Sequence, residues 1–158
     1  MSRIGVVGDI HGNYWGLKQA LQQMGPIDRL LFTGDGYREI SKFQNDPRLV
    51  IEGVAGNCDL YTEYPPEQVF YLGKWKILLT HGHLHGVKSG LTRLVMVGRE
   101  LGVNLVVFGH THRPLSAEWE GFRLFNPGSL SEERSYQGPT YGIIEISDSG
   151  ILPMINRL

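Results

Sequence analysis

The sequence predicts an α/β fold in which short buried strands alternate with helices. In the first half of the chain, apolar runs of strand length alternate with a helical pattern, which is typical of βαβ units. The second half contains further apolar runs separated by turn-rich segments. Polar residues directly follow several of these runs, as they do at the carboxyl edge of α/β sheets, where binding sites form.

The first half contains three predicted strands and one predicted helix. Strands are expected over residues 3–7, 28–32 and 48–54, because each is a short apolar run followed by a turn residue. Residues 14–24 carry apolar side chains at a helical period, and Gly25-Pro26 ends that helix.

The second half contains a predicted hairpin, a second helix and four further strands. The hairpin is centred on Gly73-Lys74, and residues 88–101 have a helical pattern. The predicted strands of this half are 68–72, 75–80, 104–108, 122–125, 141–146 and 151–155. No repeat or linker separates the halves, so we expect one domain spanning residues 1–158, with two sheets or half-sheets and helices outside.

The composition is that of an ordinary folded protein. Its 158 residues are 41% hydrophobic and 20% charged, and this length is sufficient for one hydrophobic core. A net charge of −1 gives no electrostatic reason to expect broad nucleic-acid or membrane binding. The single cysteine, Cys58, excludes an internal disulfide. No apolar run is long enough to span a membrane, and no signal-peptide pattern is present, so we expect a cytoplasmic protein.

Seven side chains with oxygen or nitrogen donors follow five of the predicted strands. The segments that carry them recur at intervals of 22 to 29 residues in the sequence numbering, about one strand plus a connection. Each can therefore return to the same sheet edge. The donors, in the segments GDIHG, GDG, GNCD, THGH and GHTH, are Asp9, His11, Asp35, Asn57, His81, His110 and His112.

This donor set favours a site for two metal ions. Seven donors exceed the four ligands of a tetrahedral zinc site, and they suit two five- or six-coordinate ions that share a carboxylate. Mixed imidazole and carboxylate ligands favour Mn, Fe, Zn, Co or Ni over Ca or Mg alone. Two ions roughly 3.5–4 Å apart can hold a hydroxide nucleophile and clamp a phosphoryl group. Each segment alone could be an ordinary turn, but their joint occurrence favours the metal site.

The motifs GDIHG, GD, GNCD, HGH and GHTH, in this order, resemble those of the calcineurin-like metallophosphoesterase superfamily. The segment NPGS at residues 126–129 resembles the closing motif of its small single-domain branch, which includes the YfcE-type phosphodiesterases and the retromer scaffold subunit. The resemblance extends from Met1 to about Ile146. It implies an αββα sandwich of two mixed sheets flanked by helices.

The resemblance also implies a role for each donor. One ion would be held by Asp9, His11, Asp35 and His112. The second would be held by Asp35, Asn57, His81 and His110. The cofactors would be two divalent ions, with Mn²⁺ expected first and Ni²⁺, Co²⁺, Fe²⁺ or Zn²⁺ as alternatives.

Three residues are expected to contribute to catalysis by this resemblance: Asn57, Asp59 and His81. Asn57 would contact the substrate phosphate as well as a metal ion. Asp59 resembles the acid of the GNxD motif, which positions neighbouring groups and does not bind metal.

Several positions depart from the wider family pattern. Cys58 stands where many members have histidine, which implies a weaker acid and a preference for diesters or good leaving groups. Tyr37 stands where an aliphatic residue is common, and it either lines the pocket or packs in the interior. Glu133 stands where proline is common. Arg134 matches a family arginine, but the two neighbouring acids, Glu132 and Glu133, weigh against a phosphate role.

Three other residues near the motifs received separate interpretations. We expect His83 to support a ligand or face the substrate without binding metal. His85 is expected to be a solvated loop residue. Trp15 is expected to pack in the core or at its edge, or to border the pocket.

We considered three functions. The first is a metal-dependent phosphodiesterase that hydrolyses small phosphodiesters, or phosphomonoesters, by attack of a hydroxide bridging two metal ions. The second is a protein-binding scaffold of the retromer-subunit type without catalysis, which predicts damaged ligands, whereas all seven are intact. The third is a nuclease for polymeric nucleic acid, whose expected basic groove is represented only by Lys88, Arg93 and Arg99. A homodimer is implied by the resemblance alone.

Overall fold

The computed structural model describes residues 1–135 and 137–158. In these residues the strands are β1 Ser2–Val7, β2 Arg29–Phe32, β3 Ile51–Gly53, β4 Glu67–Leu72, β5 Trp75–Thr80, β6 Leu105–Val107, β7 Leu115–Trp119, β8 Phe122–Asn126, β9 Thr140–Ser147 and β10 Gly150–Arg157. The α-helices are α1 Tyr14–Met24, α2 Tyr37–Ile40 and α3 Thr92–Leu101, with short 3₁₀ turns at Ser41–Phe43 and His83–His85. None of the described helices is long and apolar enough to cross a membrane.

The strands form two mixed sheets. The first has the order β10-β9-β1-β2-β3, and the second has the order β4-β5-β6-β8-β7. Strands β1, β2 and β3 are parallel to one another, as are β5, β6 and β8. The carboxyl ends of each parallel set therefore lie at one edge of its sheet, where loops can combine to form a site.

The two sheets pack face to face with helices outside, which confirms the predicted αββα sandwich. The central layer contains Val6, Leu31, Leu79 and Val107 among its buried side chains. Helix α1 covers the outer face of the first sheet, and α3 covers that of the second. Full burial of one such aliphatic side chain contributes about 1.5–3 kcal/mol, so this central layer is a major source of stability.

Helix α1 lies close to the first sheet because of Gly5. A Cβ atom at this position would lie 2.6 Å from the Sδ atom of Met24 at the end of the helix. The larger residues Leu17 and Ala20 of α1 are completely buried against the same sheet. This close packing fixes the loop between β1 and α1, which carries the GDIHG segment.

The structure corrects several predicted boundaries. Helix α3 begins at Thr92 and not at residue 88, because Gly90 with φ 145° interrupts the helical backbone. Strand β3 has three residues in place of the predicted 48–54, since the Arg48 N–H turns back to the Asp46 side chain. Strand β7 and helix α2 were not predicted from the sequence at all.

Candidate metal centre

The loops after β1, β2, β3, β5 and β6 bring the seven predicted donors together. The first sheet supplies its donors through the loops after β1, β2 and β3, and the second through those after β5 and β6. Contacts of 3.9 Å or less connect all seven side chains. The convergence that the sequence predicted is therefore present.

Asp9, His11 and His112 form the first cluster. The Nε2 atom of His112 lies 3.1 Å from Oδ1 of Asp9 and 3.2 Å from Nε2 of His11. The Nε2 atom of His11 lies 3.6 Å from the same Asp9 oxygen. One ligand atom from each residue could therefore reach a common ion.

Asp35, His81 and His110 form the second cluster, with Asn57 at its edge. The Nε2 atom of His81 is 3.3 Å from Oδ2 of Asp35 and 3.1 Å from Nδ1 of His110. It also lies 3.0 Å from Oδ1 of Asn57. This cluster can hold an ion through one carboxylate, two imidazoles and an amide oxygen.

Asp35 lies between the two clusters. Its Oδ2 atom is 3.3 Å from His81 and 3.8 Å from the Nε2 atom of His11. Its other oxygen accepts a hydrogen bond of 2.8 Å from the backbone N–H of Cys58. A carboxylate that contacts both clusters is the arrangement expected of a bridging ligand.

The backbone at the site is strained. Five of the seven donors have φ between 45° and 71°, in the left-handed region that residues other than glycine seldom adopt. Each such residue costs on the order of 1–3 kcal/mol, and such strain persists where the surrounding fold enforces it, often at functional sites. The strained donors are Asp9, His11, Asp35, His110 and His112.

Hydrogen bonds orient two of the ligands. The Nδ1 atom of buried His81 lies 2.7 Å from the Thr33 carbonyl and donates to it. This bond directs Nε2 at the cluster, as the atom that could bind a metal once it has lost its proton. Asp9 accepts a 2.9 Å hydrogen bond from the His110 N–H on Oδ2. Its Oδ1 atom is buried and accepts no hydrogen bond from the described residues. A buried carboxylate oxygen surrounded by imidazoles fits a cation ligand.

The surrounding charges keep both aspartates ionised. Burial opposes ionisation of Asp9, but His11, His112 and His81 outweigh burial and lower its pKa. Burial also opposes ionisation of Asp35. The hydrogen bond and charge of His81 and the hydrogen bond from the Cys58 N–H outweigh burial and hold the pKa of Asp35 well below its usual range. Ionised carboxylates are the form that binds a divalent cation.

The two imidazoles of the second cluster differ in protonation. Burial favours neutral His81, but Asp35 and Asp9 outweigh burial and raise its pKa. Burial and the neighbouring charge of His81 lower the pKa of His110 to about 4. His110 is therefore neutral near pH 7 and available as a ligand.

Asp59 accepts hydrogen bonds from the backbone of the loops that carry the donors. Its Oδ2 atom accepts hydrogen bonds from the N–H groups of Asp35 and Gly56, at 2.7 and 2.8 Å. Its Oδ1 atom accepts from the N–H groups of Gly36 and Tyr37, at 3.0 and 2.9 Å. This carboxylate joins the loop after β2 to the loop after β3.

The NPGS segment stabilises two of the ligand loops. The Asn126 side chain donates to the Gly109 carbonyl and to the Thr111 hydroxyl, both at 3.1 Å, and so orders the GHTH loop. The Ser129 hydroxyl donates to the Asp9 carbonyl at 2.6 Å. The motif itself was visible in the sequence, but these supporting contacts, like that of Thr33, were not predicted.

Tyr37, Cys58 and Arg134 all lie near the donors. Tyr37 both lines a cavity beside the site and packs against Tyr64. The Cys58 thiol lies within 4.8 Å of ligand atoms of His11 and Asp35, and burial together with Asp35 raises its pKa. Arg134 offers its backbone carbonyl 3.2 Å from Nδ1 of His112, and the side-chain role stays a prediction.

His83, His85 and Trp15 occupy different surroundings. The centroid of the His83 ring lies 5.3 Å from that of the His81 ring, and the role of His83 stays a prediction. The prediction of a solvated His85 is wrong, because its ring is largely buried and pairs with Glu67. Trp15 is 71% exposed and so does not pack in the core. It is not among the residues that line the cavity beside Asp35.

That cavity has a volume of about 330 Å³. Its lining includes His11 and Asp35 of the donor clusters, together with Cys58 and Asp59. Its remaining lining residues are Gly36, Tyr37, Arg38, Glu39, Leu60 and Tyr61.

Comparisons with known sequences agree with the geometry. A family profile described as the calcineurin-like phosphoesterase superfamily domain matches residues 2–149. The probable metallophosphoesterase YsnB of Bacillus subtilis is 31% identical over 148 residues, covering 90% of this chain and 83% of YsnB. The phosphodiesterase YfcE of Escherichia coli is 26% identical, with 98% of this chain and 92% of YfcE covered.

Solved structures share the same architecture. A predicted phosphoesterase from Streptococcus pneumoniae has a TM-score of 0.79 at 28% identity, over 98% of this chain and 88% of that chain. Vps29 of Entamoeba histolytica, solved with Zn²⁺, has a TM-score of 0.75 at 24% identity, over 98% of each chain. The second likeness concerns the fold alone.

Proposed function

Because this chain belongs to the calcineurin-like phosphoesterase superfamily, we propose that it is a two-metal phosphodiesterase acting on small substrates. One observation carries the proposal. The Asp35 carboxylate lies between two histidine-rich clusters, 3.3 Å from His81 and 3.8 Å from His11. Two ions that share a carboxylate are the arrangement used for hydrolysis of phosphate esters.

We assign the first ion to Asp9, His11, Asp35 and His112, and the second to Asp35, Asn57, His81 and His110. Two divalent ions, with Mn²⁺ expected first, would supply a bridging hydroxide as nucleophile and neutralise charge on the phosphate oxygens. Mixed nitrogen and oxygen donors also fit Ni²⁺, Co²⁺, Fe²⁺ and Zn²⁺.

The side chains around the ions have separate tasks. Asn57 is exposed. Its Oδ1 atom lies 3.0 Å from Nε2 of His81, and its amide nitrogen lies 3.5 Å from the Cys58 sulfur. That amide can donate a hydrogen bond to a phosphate oxygen. Asp59 fixes the backbone on both sides of Asp35 and so holds the bridging carboxylate in place.

The neighbourhood of Cys58 favours substrates with a good leaving group. Burial and Asp35 raise the pKa of this thiol, so it is a poor proton donor to an alkoxide leaving group. A substrate with a good leaving group needs no such donor. The preferred substrate is therefore one whose leaving group departs unprotonated, and the likeness to the phosphodiesterase YfcE supports a diester.

A polymeric nucleic acid is a poor fit to this surface. Of the three cations in the basic stretch of the second half, Arg99 pairs with Glu120. Nucleic-acid binding without base contacts depends on many unpaired cations along one face. We therefore expect small substrates.

The test is hydrolysis of bis-p-nitrophenyl phosphate and p-nitrophenyl phosphate by chelator-stripped protein, with Mn²⁺, Ni²⁺, Co²⁺, Zn²⁺ or Mg²⁺ restored singly. We expect metal-restored cleavage that favours the diester and is lost in His112→Ala. Preference for the monoester would contradict the assignment as a phosphodiesterase.

Two other results would overturn the proposal. Full activity with both ions retained in Asp35→Asn would exclude a bridging carboxylate. Two bound ions without cleavage of either ester, with every metal tried, would favour the protein-binding scaffold.

A further inference from the structure

We propose that the cavity beside Asp35, with its volume of about 330 Å³, binds a nucleobase, which makes nucleoside phosphodiesters the preferred substrates. The inference rests on the proposed phosphodiesterase function and specifies its substrate class. It is carried by the position of the cavity and by the other side chains that line it.

The cavity is lined both by residues of the donor clusters and by aromatic side chains. Asp35 and His11 of its lining belong to the clusters, so a phosphate held there would place one ester arm in the cavity. Its volume lies at the lower end of the range of about 300–1,000 Å³ for small-molecule pockets. This space suits one planar ring with its sugar.

Two tyrosines and a leucine provide the apolar contacts. Tyr37 is held rigidly, because its N–H donates to Asp59 at 2.9 Å and its ring packs edge-to-face on Tyr64 at 5.7 Å. Leu60 and Tyr61 follow the GNCD segment and are 82% and 90% exposed. Tyr61 has no ring contact within the described residues. Aromatic side chains placed in this way stack on bases of any sequence.

Glu39 provides a polar contact that suits a base. Its side chain lines the cavity and is only 8% exposed. No hydrogen bond or ion pair of its carboxylate occurs within residues 1–135 and 137–158, and its oxygens are not among the buried atoms without a partner. The carboxylate is therefore accessible and free to accept a hydrogen bond from the ring N–H or exocyclic amino group of a nucleobase. A simple alkyl or phenyl arm has no such donor.

Arg38 completes the lining. It is exposed, and it forms no ion pair in the part of the chain that the structure describes. A guanidinium at the mouth of an aromatic pocket can stack on a base or attract the phosphate. Stacking, a hydrogen-bond acceptor and a cation together distinguish a nucleotide from other diesters.

The experiment compares two diesters that share one leaving group. Thymidine 5′-(p-nitrophenyl phosphate) and methyl p-nitrophenyl phosphate both release p-nitrophenolate. The ratio of their kcat/KM values therefore measures the effect of the group that stays on the phosphate, thymidine or methyl. We expect the nucleoside ester to be preferred by tenfold or more. Tyr61→Ala should lower that ratio about tenfold, mainly through KM, as expected for loss of one stacked base.

A second cavity variant and a control variant complete the comparison. Glu39→Gln should also lower the ratio, since the amide is a weaker acceptor for the base. Tyr71→Ala is the matched control, because Tyr71 is 63% exposed on β4 and does not line the cavity. It should leave both rates unchanged. A ratio near one in the parent protein, or a ratio unaffected by Tyr61→Ala and Glu39→Gln, would overturn the proposal.

Calorimetry separates failure of this inference from failure of the proposed function. If neither ester is cleaved, the phosphodiesterase proposal fails. Titration of metal-loaded protein with thymidine 5′-monophosphate and with deoxyribose 5-phosphate then tests the cavity alone. Tighter binding of the nucleotide, lost in Tyr61→Ala, would support the base site, and equal binding of the two ligands would exclude it.

Discussion

The Nε2 atoms of His11 and His112 lie 3.2 Å apart, although 101 positions separate the two residues in the sequence. Both nitrogens also approach Oδ1 of Asp9, a buried oxygen with no hydrogen-bond donor of its own in the described residues. One small cation could contact all three atoms at once. The protein therefore presents a preformed ligand set, and the predictions below concern how each part of it contributes.

Loss of one histidine from either cluster should remove one ion. His112→Ala and His110→Ala should each lower the number of bound Mn²⁺ ions from two to one, because each deletes a ligand of a different cluster. Activity should fall by at least about 100-fold. Calorimetric titration and elemental analysis after dialysis would measure both effects. His85→Ala is the matched histidine control, and retention of two ions in both cluster variants would contradict the assignment.

Removal of the Asp59 carboxylate should destabilise the fold. Asp59→Ala leaves four backbone N–H groups without their acceptor, which should lower the free energy of unfolding by about 2–4 kcal/mol. Urea denaturation of the metal-free protein would measure the change. Asp148→Ala, at an exposed position in the turn before β10, is the control and should change stability by less than about 0.5 kcal/mol.

Asp59 should also affect metal affinity without contacting the ions. Asp59→Asn keeps the size of the side chain but turns an amino group toward backbone donors, so the loop that carries Asp35 should shift. We expect Mn²⁺ affinity to fall by about 10- to 100-fold. Unchanged affinity, with only stability reduced, would show that Asp59 acts on the fold alone.

Cys58 should be dispensable as a nucleophile. Burial and Asp35 raise the pKa of its thiol, so the reactive thiolate is scarce at neutral pH. Cys58→Ser should retain kcat for the diester within a few-fold, measured with saturating Mn²⁺. Rapid-quench experiments that trap a phosphorylated cysteine, or complete loss of activity in the serine variant, would refute this expectation.

The two histidines of the second cluster should titrate differently in metal-free protein. NMR of ¹⁵N-labelled imidazoles should show His110 neutral down to about pH 4, whereas His81 should remain protonated above its ordinary pKa of 6.5. Because a metal ion must displace the proton of His81, the affinity of the protein for the metal should weaken as the pH falls. Equal titration of both rings near pH 6.5 would contradict the described charge pattern.

The same shift at His110 has a defined effect on stability. Its folded pKa of about 4 lies below the ordinary 6.5, so the unfolded chain binds more protons between these values. The contribution of His110 to stability is therefore present above pH 6.5 and is lost as the pH falls toward 4.

The sequence predicted which residues form the site better than how the backbone presents them. All seven donors follow strands whose apolar runs are continuous, so strand order alone brings them to one edge. The left-handed backbone at residues such as His110 and His112 was not predictable, because aspartate and histidine do not signal positive φ as glycine does. The support from Thr33 and Ser129 depends on tertiary contacts.

The prediction of secondary structure missed the elements whose local sequence patterns are weak. Helix α1 was predicted with its observed bounds, since its apolar period and Gly25-Pro26 are both clear. Strand β7 is a partly exposed edge strand with few large apolar residues, and α2 has only four residues. Neither is long enough or apolar enough to produce a periodic signal.

The division of the ligands between two sheets has a consequence for folding. Each proposed ion would have ligands from both layers: Asp9, His11 and Asp35 come from the first sheet, and His81, His110 and His112 from the second. A bound ion is then a cross-link at one end of the sandwich, and the melting temperature should rise with free metal concentration. Under metal limitation, separation of the layers should begin at this end, where backbone amides would exchange with deuterium first.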